Sequence, residues 1–372
     1  MSFLYENNVG PIYGTLKNSS ISFAWTGYTL IYSNAPETLF STDLADSGKY
    51  LYADQSNGRT RAFFHHANDS ASDTYRIRIE LVNPNSESVN LFVSNNGWVA
   101  HNDFSRAGAM AWINWLTQSP GAGAPAGTDA YVRTIGANSS DYYIVQEAVM
   151  GPLQAASGIV DFVAVGTSSG SVRPIKVKVY AYKNAPSNSP TTPAPIRVTY
   201  QDLPNDTTKF GVYAGTRVYY GTPGFEDVVR GTFANCSRTA NISYNSSSGA
   251  QYIEMFKRHT HANVISGEFQ AGYDATIPVG QNRTVYTPYG VDFTLNYNII
   301  DGARKPIYGY LQNMEGSDWH VLREDGQQDY ASLSSTEAWN FDITTLNGGS
   351  KTTKLWTTCP GGLGGTQQIF WA

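Results

Sequence analysis

A chain of 372 residues with a hydrophobic fraction of 41% is long enough for two cores, yet its charged fraction of 15% falls well short of the usual level of about a quarter. The net charge of −5 carries no basic run, which excludes the clustered cationic face that nucleic-acid binding requires. No window approaches the roughly 18 apolar residues of a membrane span, and the start, MSFLYENNVGPIYG, lacks the basic and apolar regions of a signal peptide. With 35 Gly, 25 Tyr and abundant Ser, Thr and Asn, the surface is solvated by hydroxyls and amides rather than ions, as in many extracellular β proteins.

Residues 1–40 predict two or three strands. Ile21–Tyr32 alternates well, and Gly27 inside it marks a bulge or turn that exchanges the two faces. Gly58–Val93 then spells out a β-meander. Strand Thr60–His66 leads through the polar turn Asn68–Asp73 to the alternating strand Tyr75–Val82, and turn Asn83–Ser88 leads to strand Val89–Val93. Asp103–Gln118 is the one helix candidate: Asp103 is an N-cap, Phe104, Ala107, Ala111 and Trp115 recur at helical spacing, and Pro120-Gly121 stops the run. After the loop Pro120–Gly127, strands are predicted at Ala130–Ile135, Tyr142–Val149, Ile159–Val165 and Val172–Tyr182.

The Pro/Ser/Thr-rich run Asn184–Pro195 reads as an extended linker. It divides the chain into a first domain, 1–185, a linker, 186–195, and a second domain, 196–372. Strands are predicted in the second at Ile196–Tyr200, Phe210–Tyr220, Asp227–Phe233, Thr239–Tyr244, Gln251–Arg258, Asn263–Phe269, Asp274–Val279, Val291–Ile300, Ile307–Gln312, Ala338–Thr344, Thr353–Thr358 and Gln367–Trp371. Short strands at this spacing predict a mainly β protein with two antiparallel β-sandwich or jelly-roll-like domains and one short helix in the first.

No motif in the chain demands a catalytic site or a cofactor. Gly166-Thr-Ser168-Ser-Gly170 matches the G-x-S-x-G nucleophile elbow, which requires a strand, a tight turn and a helix; a strand follows here, so a hairpin loop explains it better. His65 and His66 are neighbours on a strand and point to opposite faces, one to a core or partner strand and one to water. His259 and His261 share a face and are the better metal candidates, with Glu254, Glu268 or His320 as a third ligand, although no spacing requires it. Asn68, Asp69 and Asp73 lack regular calcium-loop spacing, so a capped turn is their expected use. Paired-carboxylate glycosidase chemistry would draw on Glu147, Glu226, Asp227 or Asp318, which nothing in the sequence brings together.

Two cysteines, Cys236 and Cys359, are either separate buried thiols or a disulfide. As a disulfide they would close a loop of order 100 residues and stabilise by roughly 4–5 kcal/mol in the chain-entropy model. N-x-Ser/Thr sequons at Asn18, Asn68, Asn138, Asn205, Asn235, Asn241, Asn245 and Asn282 all fall at or near predicted turns. Among the tryptophans, Trp98, Trp112, Trp115 and Trp319 are candidates for stacking on sugar rings, against the alternative that they fill cores or interfaces.

The segment Arg61-Ala-Phe63-Phe64-His65-His66-Ala-Asn68, with Tyr75–Asn83 and Val89–Val93 after it, resembles surface and secreted proteins of Gram-positive bacteria that accompany stalk repeats, also called copper-amine-oxidase-N-terminal-like repeats. Tyr289-Gly290-Val291-Asp292-Phe293 is similar to a second strand of that family. The chain departs from the pattern in having no repeat region and in the added aromatics of Trp98–Trp115. The resemblance implies a bacterial cell-surface location and a non-catalytic role. It implies neither copper nor amine oxidation, since there is no cofactor-precursor motif and no histidine triad.

The expectation is therefore a non-catalytic extracellular or cell-surface structural or adhesive protein. Copies of itself are the expected partners, joined into a filament or layer through β-edges such as Phe3–Tyr5 and Gln367–Trp371. The alternative is a carbohydrate-binding module that holds surface polysaccharide with exposed Trp and Tyr.

Overall fold

The computed structural model describes residues 4–6, 16–17, 21–34, 37–40, 44, 49–121, 123–139, 142–183, 217–220, 229–256, 289–313, 316–360 and 367–372. They form a mainly β protein with one α-helix among the described residues, arranged as two compact units.

One unit draws its described strands from Tyr28–Cys236. Its larger sheet runs, in spatial order, Ala130–Ile135, Val89–His101, Ala155–Gly166, Thr60–Asn68, Thr29–Ser33, Val229–Phe233 and Arg217–Tyr220. Its smaller sheet runs Tyr143–Met150, Tyr75–Val82, Ile175–Tyr182 and Lys49–Ser56. Alternation makes this a sandwich. Ile77, Ile79 and Leu81 of the smaller sheet point inward with Ile175, Val177 and Val179, while Arg76 and Arg78 point outward. They meet Ala62, Phe64, Val89, Leu91, Val160 and Phe162 of the larger sheet in one core. Each fully buried side chain of this size contributes about 1.5–3 kcal/mol.

The helix, Phe104–Thr117, covers the opposite face of the larger sheet. Asp103 caps it by accepting from the Arg106 amide at 3.0 Å, and Ala107, Ala111, Trp112 and Trp115 form its buried side. The helix sits so close that a β-carbon at Gly97, on the strand beneath, would overlap the Ala111 carbonyl oxygen and the Trp115 amide nitrogen. All residues of strand Thr60–Asn68 are buried: Ala62 and Phe64 face the core, and Arg61 lies against Trp112 and Trp115 of the helix. This corrects the expectation that one of His65 and His66 meets water. His65 hydrogen-bonds the Ser157 hydroxyl, and His66 Nε2 lies 3.0 Å from Ser33 Oγ.

The other unit takes its described strands from Met1–Gly27, Ser237–Gln270 and Tyr286–Ala372. One six-stranded sheet runs Leu4–Glu6, Ala338–Thr344, Ile307–Asn313, Gln367–Trp371, Gln251–Met255 and Leu16–Lys17. The second runs Gln327–Ser334, Ser317–Glu324, Ser350–Thr358, Asp292–Ile300, Ser237–Asn245 and Ala24–Thr26. Their inner faces meet at Trp371, whose ring packs on Tyr244, Tyr297 and Phe341 at centroid distances of 6.3, 5.4 and 5.3 Å.

The units interleave in sequence, whereas the sequence placed consecutive domains around a linker. Ala24–Thr26 pairs with Ser237–Thr239 in one unit, and Thr29–Ser33 pairs with Val229–Phe233 in the other. The turn at Gly27, with φ of 85°, separates them and is where the chain passes from one unit to the other. Residues 184–195 lie outside the described residues, as do the predicted strands Ile196–Tyr200, Asn263–Phe269 and Asp274–Val279.

Antiparallel pairing dominates, but Ser237–Asn245 runs parallel to Asp292–Ile300, and Thr29–Ser33 parallel to Thr60–Asn68. Three strands escaped the sequence analysis: Lys49–Ser56, Ser317–Glu324 and Gln327–Ser334. The last two flank Asp325-Gly326, whose φ values of 44° and 92° fit the two-residue turn that Asp-Gly favours.

Candidate functional site

Most of the predicted site residues have structural partners. Trp112 and Trp115 are buried, which corrects their reading as sugar-stacking residues. With Tyr28 they box in the Arg61 guanidinium, whose carbon lies 5.3 and 4.7 Å from the two indole rings and 5.8 Å from the phenol. Arg61 donates to Asp161 Oδ1 and Oδ2 at 2.8 and 3.0 Å, and the Tyr28 hydroxyl also donates to Asp161. Burial, and then the Asp161 carboxylate, push the Tyr28 hydroxyl well above its ordinary pKa. The box is a closed packing element of the helix-covered face.

Gly166–Gly170 is a hairpin turn that leads into strand Ile175–Tyr182, with no helix behind it. Glu87 accepts from the Ser168 and Ser169 amides, each at 3.1 Å, and from the Ser169 hydroxyl at 2.8 Å. Asn68 caps its turn: Nδ2 donates to the carbonyls of Asp73 and Gly151 at 2.8 and 2.9 Å, while Oδ1 accepts from the Ser70 amide. Asn83 repeats the device at the far end of Tyr75–Val82, donating to the Glu87 and Gly136 carbonyls at 2.8 Å each. Sequon residue Asn68 is thus enclosed, whereas Asn138 and Asn241 are exposed.

His259 and His261 lie outside the described residues, as do Glu226, Asp227 and Glu268. His320 is buried against Gln367 Oε1 at 3.2 Å, and burial holds its imidazole down at about 4. Glu147 is bound by Arg76 and Arg78, and Asp318 is buried. Among the described residues, no group of three His, Cys, Asp or Glu is placed to hold a metal ion. Cys236 and Cys359 are both buried thiols rather than a disulfide, which corrects that pairing; the Tyr28 amide donates to Cys236 Sγ at 3.5 Å. The terminal strands named as association edges are used inside the chain: Leu4–Glu6 pairs with Ala338–Asn340, and Gln367–Trp371 lies between two neighbours.

Among the described residues, one face of the second unit lies open. Strands Ser237–Asn245, Asp292–Ile300 and Ser350–Thr358 lie side by side, and their sequences alternate apolar and polar residues. Ala240, Ile242, Leu295, Tyr297 and Leu355 point into the core. The intervening residues stand outward in rows fixed by register: Asn241, Asn296 and Lys354 form one row, and Ser243, Asn298 and Thr352 the next. Asn296 Nδ2 donates to Asn241 Oδ1 at 3.0 Å, which fixes both amides. These rows, with Asp325 at one end, line a groove of about 550 Å³.

Within a row the groups are spaced by the strand separation of about 4.8 Å, and the two rows lie two residues apart along the strands, about 6.6 Å. By register the same face continues through Arg323 to Trp319, whose ring lies 5.4 Å from that of Tyr330 at 33°. Of the four predicted stacking residues, Trp319 alone shares a face with this groove; Trp98, 38% exposed, belongs to the other unit. Sequence reasoning weighted the aromatics and passed over the amides. The signal was present in Asn241-Ile-Ser243 and Asn296-Tyr-Asn298, where polar residues occupy one parity of a strand.

No protein-family model matches the chain, and no curated protein matches it. Among solved structures it is similar to the insecticidal delta-endotoxin Cry8Ea1 from Bacillus thuringiensis, at 12% identity and a TM-score of 0.18, over 83% of this chain and 53% of that one. It is also similar to the tandem CBM22-1-CBM22-2 domain of Paenibacillus barcinonensis Xyn10C, at 10% identity and a TM-score of 0.15, over 93% and 96% of the two chains. The chain spans about half the length of the toxin. Among the described residues, no helix is long and apolar enough to cross a membrane.

Proposed function

We propose that the chain is a non-catalytic adhesive protein of a bacterial surface, and that its second unit holds a neutral polysaccharide along the open groove. One observation carries this reading: two rows of amide, hydroxyl and ammonium groups, Asn241–Asn296–Lys354 and Ser243–Asn298–Thr352, stand on a rigid sheet and line about 550 Å³ of open space. Asn, Ser and Thr offer both donors and acceptors, which matches the hydroxyl pattern of a saccharide better than that of an apolar or highly charged ligand. The low charge of the whole chain and its resemblance to Gram-positive surface proteins support an extracellular setting. Assembly through the chain ends has less support, because both terminal strands are paired within the chain.

The test is affinity electrophoresis of the full chain through gels containing soluble polysaccharides, from neutral glucans and xylans to bacterial wall polymers. Retardation by at least one neutral polymer, lost in the double substitution Asn296→Ala and Asn298→Ala, is the expected result. Equal mobility in every gel overturns the reading.

A further inference from the structure

At one end of the groove a single hydroxyl stands between two carboxylates. Thr353 Oγ1 donates to Glu324 Oε1 at 3.0 Å and reaches Asp325 Oδ2 at 3.3 Å. Thr353 and Asp325 both line the groove, whereas Glu324 lies behind them, its side chain 11% exposed. Asp325 opens the turn after strand Ser317–Glu324 and is tied to the neighbouring strand by the Lys354 amide, which donates to Oδ1 at 3.4 Å. Lys354 belongs to the row Asn241–Asn296–Lys354, so hydrogen bonds connect Glu324 to that row. Two charged groups face Glu324 from the other elements packed against it. Lys351 Nζ is 3.9 Å from Oε1, and Asp342, on the opposite sheet, holds the same Nζ at 2.7 Å. The cross-strand partner of Glu324, Gln327, adds no charge.

We propose that protonation of Glu324 regulates the groove through Thr353, so that the polysaccharide is held more tightly when Glu324 is neutral than when it is charged. This rests on the reading of the groove as a polysaccharide site. A hydroxyl has one proton to give. With Glu324 ionised, two carboxylates compete for it and the nearer one, Glu324, takes it. Asp325 is then left beside a like charge with only the long contact to the Lys354 amide. A carboxylate so placed draws water to the end of the groove, and a neutral sugar must strip that water away to bind. With Glu324 protonated, the like charge is gone and the Thr353 proton turns to Asp325. Asp325 becomes a fixed acceptor for a sugar hydroxyl, already held in place before the ligand arrives.

The charges around Glu324 put its titration in a range where it can act. Burial, and then the Asp342 carboxylate, raise Glu324 to about 7, while the Thr353 hydrogen bond and the Lys351 ammonium pull the other way. Two carboxylates, Glu324 and Asp342, thus face the Lys351 ammonium, and the closer contact goes to Asp342. Linkage makes the coupling reciprocal: a ligand that prefers the neutral form takes up a proton as it binds. For one such group the affinity changes by at most about tenfold per pH unit.

Calorimetric titration of the full chain with a neutral polysaccharide retained in the gels, at pH 6 and pH 8 and one ionic strength, tests the coupling. Wild type should bind severalfold more tightly at pH 6, with the change centred near the Glu324 value of about 7. Glu324→Gln, a neutral isostere, should bind at both pH values as wild type does at pH 6. Thr353→Val removes the shared hydroxyl and should flatten the profile at the weaker level. Equal wild-type affinity at pH 6 and pH 8 overturns the proposal, and so does either variant keeping the wild-type profile. If no polymer binds at either pH, the polysaccharide reading fails, and the free chain decides the coupling by nuclear magnetic resonance. The Lys354 amide, which donates to Asp325, should then titrate near pH 7 in wild type and stay flat in Glu324→Gln. A Lys354 amide that is flat in wild type overturns the coupling itself.

Discussion

Strands Thr60–Asn68 and Ser237–Asn245 each lie within a sheet of a sandwich, yet they are used in opposite ways. The first is buried at every residue: the second sheet packs on one face, and on the other Arg61 lies beneath Trp112 and Trp115 of the helix. Its polar members, Arg61, His65 and His66, are consumed by internal partners. The second alternates buried and accessible residues, so Thr239, Asn241 and Ser243 stand outward in registered rows, while Arg238 is buried on the opposite parity. A polar residue on a strand becomes available to a ligand only where its face is left uncovered, as on this face of the second unit.

The largest expected effect breaks the covered face. Asp161→Ala leaves the Arg61 guanidinium buried among Trp112, Trp115 and Tyr28 without its carboxylate. Removing one partner of a buried pair costs about 3–5 kcal/mol. Hydrogen exchange followed peptide by peptide should show the unit built from Tyr28–Cys236 losing protection while the other keeps it. Equal protection in both would mean that the box is open to water.

Acid sharpens the contrast. Burial lowers His65 in one unit and His320 in the other to about 4. In the unfolded chain each titrates near 6.5, so the unfolded state binds more protons between pH 6.5 and 4. The stability of a neutral buried histidine is thus intact above pH 6.5 and is lost as pH falls towards 4, by about 1.4 kcal/mol per pH unit at the steepest. Glu324, raised to about 7, has the opposite sign: the folded state holds its proton between pH 7 and 4.5, so acid relieves a cost there. The unit carrying Glu324 should therefore resist a change from pH 7 to pH 4.5 better than the unit carrying His65. Exchange protection in the two units across that range checks the order, and equal losses would count against it.

A smaller effect is expected at the helix contact. Gly97→Ala places a methyl group where the Ala111 carbonyl and the Trp115 amide already sit, so the helix must shift outward. Overpacking of this kind costs about 1–3 kcal/mol. Tryptophan fluorescence should then report partial hydration of Trp112 and Trp115 as the covered face loosens.

Local signals made the elements legible. Tyr75–Val82, Ala130–Ile135, Ala338–Thr344 and Gln367–Trp371 fall where β-branched, aromatic and alternating residues place them, and the Asp103 cap sets the helix start. The partners were not legible. Nothing in Ala24–Thr26 or Thr29–Ser33 says that one pairs with Ser237–Thr239 and the other with Val229–Phe233, because pairing depends on register between strands some two hundred residues apart. The groove was hidden for the same reason. Asn241, Asn296 and Lys354 become neighbours only once three strands are aligned, and Glu324, Asp342 and Lys351 meet only once two sheets are stacked.

The smallest effect on stability should come with the largest effect on binding. Asn296→Ala removes an exposed amide whose partner, Asn241, can turn to water, so the change in stability should stay within about 0.5 kcal/mol. The same substitution deletes the centre of the row from Asn241 to Lys354, and retention by a polysaccharide that binds the groove should fall severalfold. Arg61→Lys on the covered face should do the reverse, weakening the fold through loss of the bidentate contact with Asp161 while leaving retention unchanged. If both substitutions lowered retention in proportion to stability, the open rows would be ordinary surface and the distinction between the two strands would end at packing.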